Sequence, residues 1–265
     1  MKKIVLAMLV LSFCFALCFG GVEWKAKSET QGQGKGQSNK IVMQCYAQKG
    51  DVKQVFEQVD HEDSFFSVGS YWLFKSADNV LYLVNPKEKT YSELPFNSIF
   101  KMVGVMGKII KIKISNPEVK LDKLEPEVVL EHRCNHYKMV IDYDMEMKIT
   151  FIKSKGHEHI EKEVWAAPQV KAMAEMGEAF RYRDFKTGME DLDILIEKQM
   201  KAEANLGFPL KTISVTTSID KKGNSKEKSR VTQEVLALST RNFPASTFEV
   251  PADFKKTSVG KAEEE

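Results

Sequence analysis

Val22, Trp24 and Ala26 alternate with charged residues, and after the polar, glycine-rich stretch 31–38 the residues Ile41, Met43, Cys45 and Ala47 repeat the alternation. A period of two puts one set of side chains on a single face, which is the pattern of a half-buried strand. It continues from Lys53 to Val59, through Tyr71–Lys75, and through Val80–Val84 to Thr90–Ser92. Turn chemistry separates these runs at Ser76-Ala77-Asp78-Asn79 and at Asn85–Lys89. The first hundred residues therefore predict an antiparallel meander.

At Pro95 the period changes. Phe96, Ile99, Phe100, Met102, Val103, Met106, Ile109 and Ile110 recur at three and four, predicting a helix over Phe96–Lys111. Gly104 and Gly107 each weaken it by roughly 1 kcal/mol relative to alanine, so it needs packing to persist. Strands resume near Val119 and include Glu127–Ile141 and Lys148–Ile152. Pro168 suits a first helical position, and Val170, Met173, Gly177 and Phe180 form the stripe of a second helix, Pro168–Phe180. Thr187 with Glu190 reads as a capping box opening a third, Gly188–Asn205. Its apolar stripe is Met189, Leu192, Leu195, Ile196 and Met200, with Gly207 as the stop. Ile213, Val215 and Ile219, then Val231–Ser239, return to strand, and Phe248-Glu249-Val250-Pro251 closes the chain.

The N-terminus changes the picture by supplying an address. Met1-Lys2-Lys3 precedes an uncharged apolar run from Ile4 to Phe19, with small residues at Gly20 and Gly21. That order predicts a signal peptide over residues 1–20 and a periplasmic or secreted protein. Cys14 follows Phe13 and Cys18 follows Leu17, which argues against lipoprotein acylation. Removing Lys2 and Lys3 lowers the formal charge from +2 to 0. Without clustered basicity, nucleic acid is a poor partner. No second apolar run is long enough to span a membrane. One domain is expected over 21–257, with a solvated tail at 258–265. Of four cysteines, Cys45 and Cys134 lie past the predicted cleavage site, either as a disulfide or as two buried thiols.

Five segments stand out together: Val80–Pro86 followed by Lys89-Thr90-Tyr91, then Cys134-Asn135-His136-Tyr137, Glu163-Val164-Trp165, Gly207–Lys211, and Phe248–Phe254. Together they resemble a bacterial domain-of-unknown-function family of envelope proteins with the lipoprotein-carrier (LolA-like, LppX-like) fold. The motifs stand in the family's order from about Val22 to Lys256. The departure is the long stretch between Tyr137 and Val164, which suggests an inserted hairpin. The resemblance implies an α+β fold, a strongly curved antiparallel half-barrel with about three helices closing its concave face. In lipid-carrier relatives that cavity holds acyl chains.

Chemistry-bearing clusters are sparse. His132, Cys134 and His136 share a strand face, and a turn at Asp144-Met145 would bring His157 opposite His132. That arrangement makes His132, Cys134 and His157 candidate soft-metal ligands, whereas a turn at Ser154-Lys155-Gly156 removes the pairing. Asp142, Asp144 and Glu146 read as the solvated face of a strand. No nucleophile elbow, phosphate loop or zinc-protease helix occurs, so no enzyme and no cofactor is expected. Methionines concentrate on the expected helices, and flexible thioethers suit surfaces that repack around apolar ligands. The expected lining of an apolar cavity is Ile99, Met102, Met106, Met173, Met176, Phe180, Leu192 and Met200. Two functions follow: a non-catalytic carrier of a lipid or other hydrophobic molecule, or a structural or protein-interaction domain of the envelope with a filled core. A metal-binding role is the third.

Overall fold

The computed structural model describes residues 21–32, 38–63, 66–95, 112–149, 152–170 and 186–258, with Ser98, Lys101 and Val105 besides. The predicted signal peptide at 1–20 and the tail beyond 258 lie outside the described residues. So do most of Phe96–Lys111 and residues 171–180 of the second expected helix.

Six strands form the expected meander: β1 Gly21–Gly32, β2 Ser38–Gln48, β3 Asp51–Val59, β4 Tyr71–Lys75, β5 Val80–Asn85 and β6 Thr90–Pro95. A second antiparallel run comprises β7 Ile112–Val129, β8 His132–Ile149, β9 Ile152–Ala167, β10 Phe208–Ile219 and β11 Ser225–Arg241. β11 pairs with β1 and joins the two runs. β12, Lys255–Lys256, adds in parallel to β6. The result is one sheet of order β12-β6-β5-β4-β3-β2-β1-β11-β10-β9-β8-β7, open at β12 and β7 and not closed into a barrel.

Register carries one set of side chains continuously across the sheet. Ala47, Cys45 and Met43 on β2 face Val22, Trp24 and Ala26 on β1, which lead to Leu238 and Val235 on β11. On β8 the same inner face continues as Tyr137, Met139, Ile141 and Tyr143, opposite Val164, Lys162, Ile160 and Glu158 on β9. Register shifts between β1 and β11, β2 and β3, β10 and β11, and β9 and β10 mark β-bulges, which increase local twist.

The described residues contain one continuous α-helix, α1 Glu190–Glu203, where about three helices were expected; Ser98, Lys101 and Val105, inside the first expected helix, are also helical. It covers the inner face at β7–β9: Leu195 is buried against Ile114, Met139 and Ile141, with Leu192 and Ala202 alongside. Lys162 reaches Glu203 at 2.7 Å. The helix opens differently from the expected capping box. Thr187 Oγ1 donates to Asp193 Oδ1 at 2.7 Å and accepts from the Met189 N–H at 3.2 Å, so the loop folds before the helix starts at Glu190. Asp193 is the better partner because Thr187 precedes the first helical residue by three positions.

Gly207 ends the connection at φ +102, and a Cβ there would lie 2.9 Å from Pro168 Cα. Both the dihedral and the backbone contact exclude a side chain. Gly207→Ala is expected to cost more than about 1 kcal/mol, read as a lowered denaturation midpoint with an unchanged m-value. An unchanged midpoint would contradict it.

The outer face is apolar at one end and charged at the other. Tyr71, Leu73 and Val84 pack under Phe243 and Phe248, so the C-terminal segment roofs β3–β6 from outside.

Candidate functional site

The inner face has two chemically distinct halves. Trp24, Ala26, Met43, Cys45, Phe208, Leu210 and Val235 form the apolar lining of a half-open pocket of about 190 Å³, with Gln54, Thr212, Gln233 and the Lys27–Glu234 pair also at its edge. Trp24 and Phe208 meet edge to face, with ring centroids 5.4 Å apart. Alternation in β1 and β2 puts these side chains together, and the pocket touches the five consecutive strands β3, β2, β1, β11 and β10. In a flat sheet those strands would span about 19 Å, so a single small pocket across them requires the sheet to curl. Cys45 is a pocket wall with its thiol pushed up to about 12 by burial, which leaves it an apolar contact and not a nucleophile.

From Leu210 onward, β10 presents Thr212, Ser214, Thr216 and Ser218 to the same face. Thr212 is buried and the other three are half-buried. Asn39, opposite Thr30 at the β1–β2 edge of this zone, has a buried Oδ1 with no hydrogen-bond partner among the described residues. Glu158 closes the row. It is only 3% exposed, accepts from Ser218 Oγ at 2.9 Å, and pairs with Lys228 at 2.5 Å. Tyr143, opposite Glu158, has its phenol pushed up by burial and by the Glu158 charge. The inner face thus runs from an apolar pocket to a hydroxyl-lined track ending in a charged pair.

A larger space, about 410 Å³, lies on the outer face under the C-terminal segment. Lys75, Asp78, Glu93 and Glu249 are on its rim, and no buried charge or orphaned polar atom points into it. The smaller inner pocket has the more distinctive chemistry.

The expected site residues are distributed as follows. Leu192 packs beside Leu195, and Met200 is half-buried on α1. Ile99, Met102, Met106, Met173, Met176 and Phe180 lie outside the described residues. Methionines do reach the inner face, but from strands: Met43, Met139 and Met145. Cys45 and Cys134 are both free. Both are buried in one core cluster with Trp24, Trp165 and Leu210, and the structure shows them as two buried thiols and not as a bridge.

The soft-metal set is also not assembled. β8 and β9 pair from Ile149↔Ile152 outward, so neither considered turn position is used. His157 faces Asp144, twelve residues from His132 along β8, roughly 40 Å at strand spacing. Among the described residues no group of three or more His, Cys, Asp or Glu could hold a metal ion. His132 lies near Gln169, and His136 stacks on Trp165 at 4.3 Å and contacts Glu163 at 2.9 Å.

His157 instead belongs to a charged network on the outer face. Its ring nitrogens meet Asp144 at 3.0 Å and Asp142 at 3.1 Å, while His159 meets Asp142 at 2.7 Å. The bond to Asp144 raises the His157 pKa, against partial desolvation and with help from Asp142. Asp144 is lowered by the bonds from His157 and Asn116. Partial burial pushes Asp142 up, but bonds from His159 and His157 outweigh it and leave it lowered. A raised histidine stabilises the fold fully below its unfolded pKa of about 6.5 and loses that contribution as pH rises through the folded value. Lowered carboxyls contribute above about 3.9 and lose it as pH falls. The network is therefore expected to stabilise most between about pH 4 and 6.5. The stability gap between wild type and His157→Gln should be wider at about pH 5.5 than at about pH 8.5 in urea titrations. Equal gaps would contradict this.

Residues 30–254 match the family described as Domain of unknown function (DUF4412). No curated protein matches the chain. One similar solved structure is an outer membrane lipoprotein-sorting protein domain, so described, from Vibrio parahaemolyticus. It is 9% identical, covers 87% of this chain and 89% of its own, and has a TM-score of 0.23. Another is a DUF1329 family protein from Desulfovibrio piger, 11% identical, covering 91% of this chain and 94% of its own, with a TM-score of 0.24.

Proposed function

We propose, for a chain that belongs to the DUF4412 family, that it is an exported, non-catalytic binding protein of the cell envelope that takes an amphipathic, acyl-bearing molecule on the inner face of its sheet. The observation that carries this reading is the pairing of a buried apolar pocket with a hydroxyl-lined track on β10. A filled structural core has no use for a row of half-buried hydroxyls, because each must find a partner or leave a polar group desolvated. An acyl chain ending at Trp24 and Leu210, with its polar end toward Ser218, uses both halves. The buried thiol of Cys45 serves as an apolar contact in the pocket wall. No described helix is long and apolar enough to cross a membrane.

The small volume favours a second reading. Ligand pockets commonly run from about 300 Å³ upward, and at about 190 Å³ this one takes the end of a chain and not a whole lipid. The rest of a ligand must then lie along the track. If it does not, the protein is an envelope interaction domain with a nearly filled core. Titration of the purified protein with a fluorescent fatty acid separates the two. Saturable binding of one molecule per chain supports the carrier; no binding at any concentration supports the interaction domain.

A further inference from the structure

We propose that the Glu158–Lys228 pair is a head-group site, and that the ligand is a zwitterionic phospholipid whose head carries a primary ammonium beside its phosphate. This rests on the carrier reading and specifies its ligand.

Glu158 is an unusual residue for an inner strand position. A carboxylate that is 3% exposed is costly to desolvate unless it is paired, and here its partners come from two neighbouring strands. Lys228 reaches it only because of a backbone irregularity. On β11, Ser229 pairs with Thr216 and Glu227 with Thr217, so Lys228 is the extra residue of a β-bulge. Regular alternation would send Lys228 to the outer face; the bulge turns it onto the inner one. Bulges that re-aim a side chain occur preferentially next to functional sites.

The pair is also asymmetric. Glu158 is buried while the Lys228 side chain is 46% exposed, and both donors meet the same oxygen, Oε1. An ammonium arriving along the track would meet Oε2. A phosphate beside it would meet Lys228, which is free to swing because it is half in solvent. The two protein charges thus complement, in order, the two charges of a zwitterion. A free anion matches only Lys228, and a free amine matches only Glu158.

The length agrees. Thr212, which also lines the pocket, to Ser218 is six residues of strand, about 20 Å. One leaflet of a bilayer, head group included, is about 20–22 Å thick. A phospholipid with its tail end on the Thr212 side of the pocket therefore reaches the charged pair without bending, with its ester oxygens beside Ser214 and Thr216. Free glycerophosphoethanolamine has the charges but no tail and should not compete.

The test uses native mass spectrometry of the purified protein mixed with detergent-solubilised phosphatidylethanolamine, phosphatidylglycerol or diacylglycerol of identical acyl chains. Phosphatidylethanolamine is expected to bind at least about tenfold more tightly than either other lipid, the effect of one charge-assisted hydrogen bond. Glu158→Gln, nearly isosteric, should remove the preference for phosphatidylethanolamine over phosphatidylglycerol. Lys228→Met, made in the Glu158→Gln background so that no buried charge is left unpaired, should weaken both phospholipids and spare diacylglycerol. Equal binding of all three lipids, unmoved by Lys228→Met, would overturn the head-group assignment while leaving the carrier reading standing. Binding of none would overturn the carrier reading itself. Competition by free glycerophosphoethanolamine would replace the lipid with a soluble phosphoamine.

Discussion

Ala26→Phe is expected to abolish ligand binding while leaving the fold intact. Ala26 is half-buried in the wall of the inner pocket, between Trp24 and Met43. A ring built there points into open volume, so overpacking strain should stay within about 1–3 kcal/mol. The space it takes is the space an acyl end would need. Loss of tail burial alone predicts a fall in affinity for a fluorescent fatty acid of at least about a hundredfold, near 2.7 kcal/mol. Lys201→Ala, on the exposed face of α1 where Lys201 pairs with Glu197, should bind as wild type does. Retained affinity in Ala26→Phe would place the ligand elsewhere.

Trp24→Ala acts through stability first. Trp24 is 6% exposed, closes one wall of the pocket, and packs edge to face on Phe208 across β11. Truncating a buried indole removes transfer free energy and leaves a cavity, together about 3–5 kcal/mol. For a chain of this size that corresponds to a fall in Tm of roughly 6–20 °C. Phe208→Leu, which keeps an apolar group at the contact, should cost less than half as much. A Trp24→Ala protein melting within a degree or two of wild type would mean that the pocket wall is already loose.

Much of the inner face is legible in the sequence. The alternation of Val22, Trp24 and Ala26, and of Ile41, Met43, Cys45 and Ala47, assigns those side chains to one face because strand geometry leaves no other option. Asn85–Lys89 announces its own turn through Asn85 and Pro86. The β8–β9 hairpin was not legible. No turn signal in the sequence marks the place where Ile149 and Ile152 become partners, and register is fixed instead by Met139 and Ile141 needing to lie under Leu195. The long stretch between Tyr137 and Val164 is the hairpin itself, with those two residues directly opposite each other. Getting that register wrong is what paired His157 with His132. The Lys228 bulge is invisible for a related reason: it depends on how two strands disagree in length, and neither strand shows it alone. The expected cap at Thr187 failed because Asp193 competes for the same hydroxyl from one turn further on.

The central claim is that the inner face holds an amphipathic lipid, and native mass spectrometry of protein purified from its own cells tests it most directly. The predicted result is a single adduct of lipid mass on each chain, released by organic solvent and absent from Ala26→Phe prepared in parallel. A spectrum showing only bare chain, from protein that also fails to load when offered lipid, would contradict it.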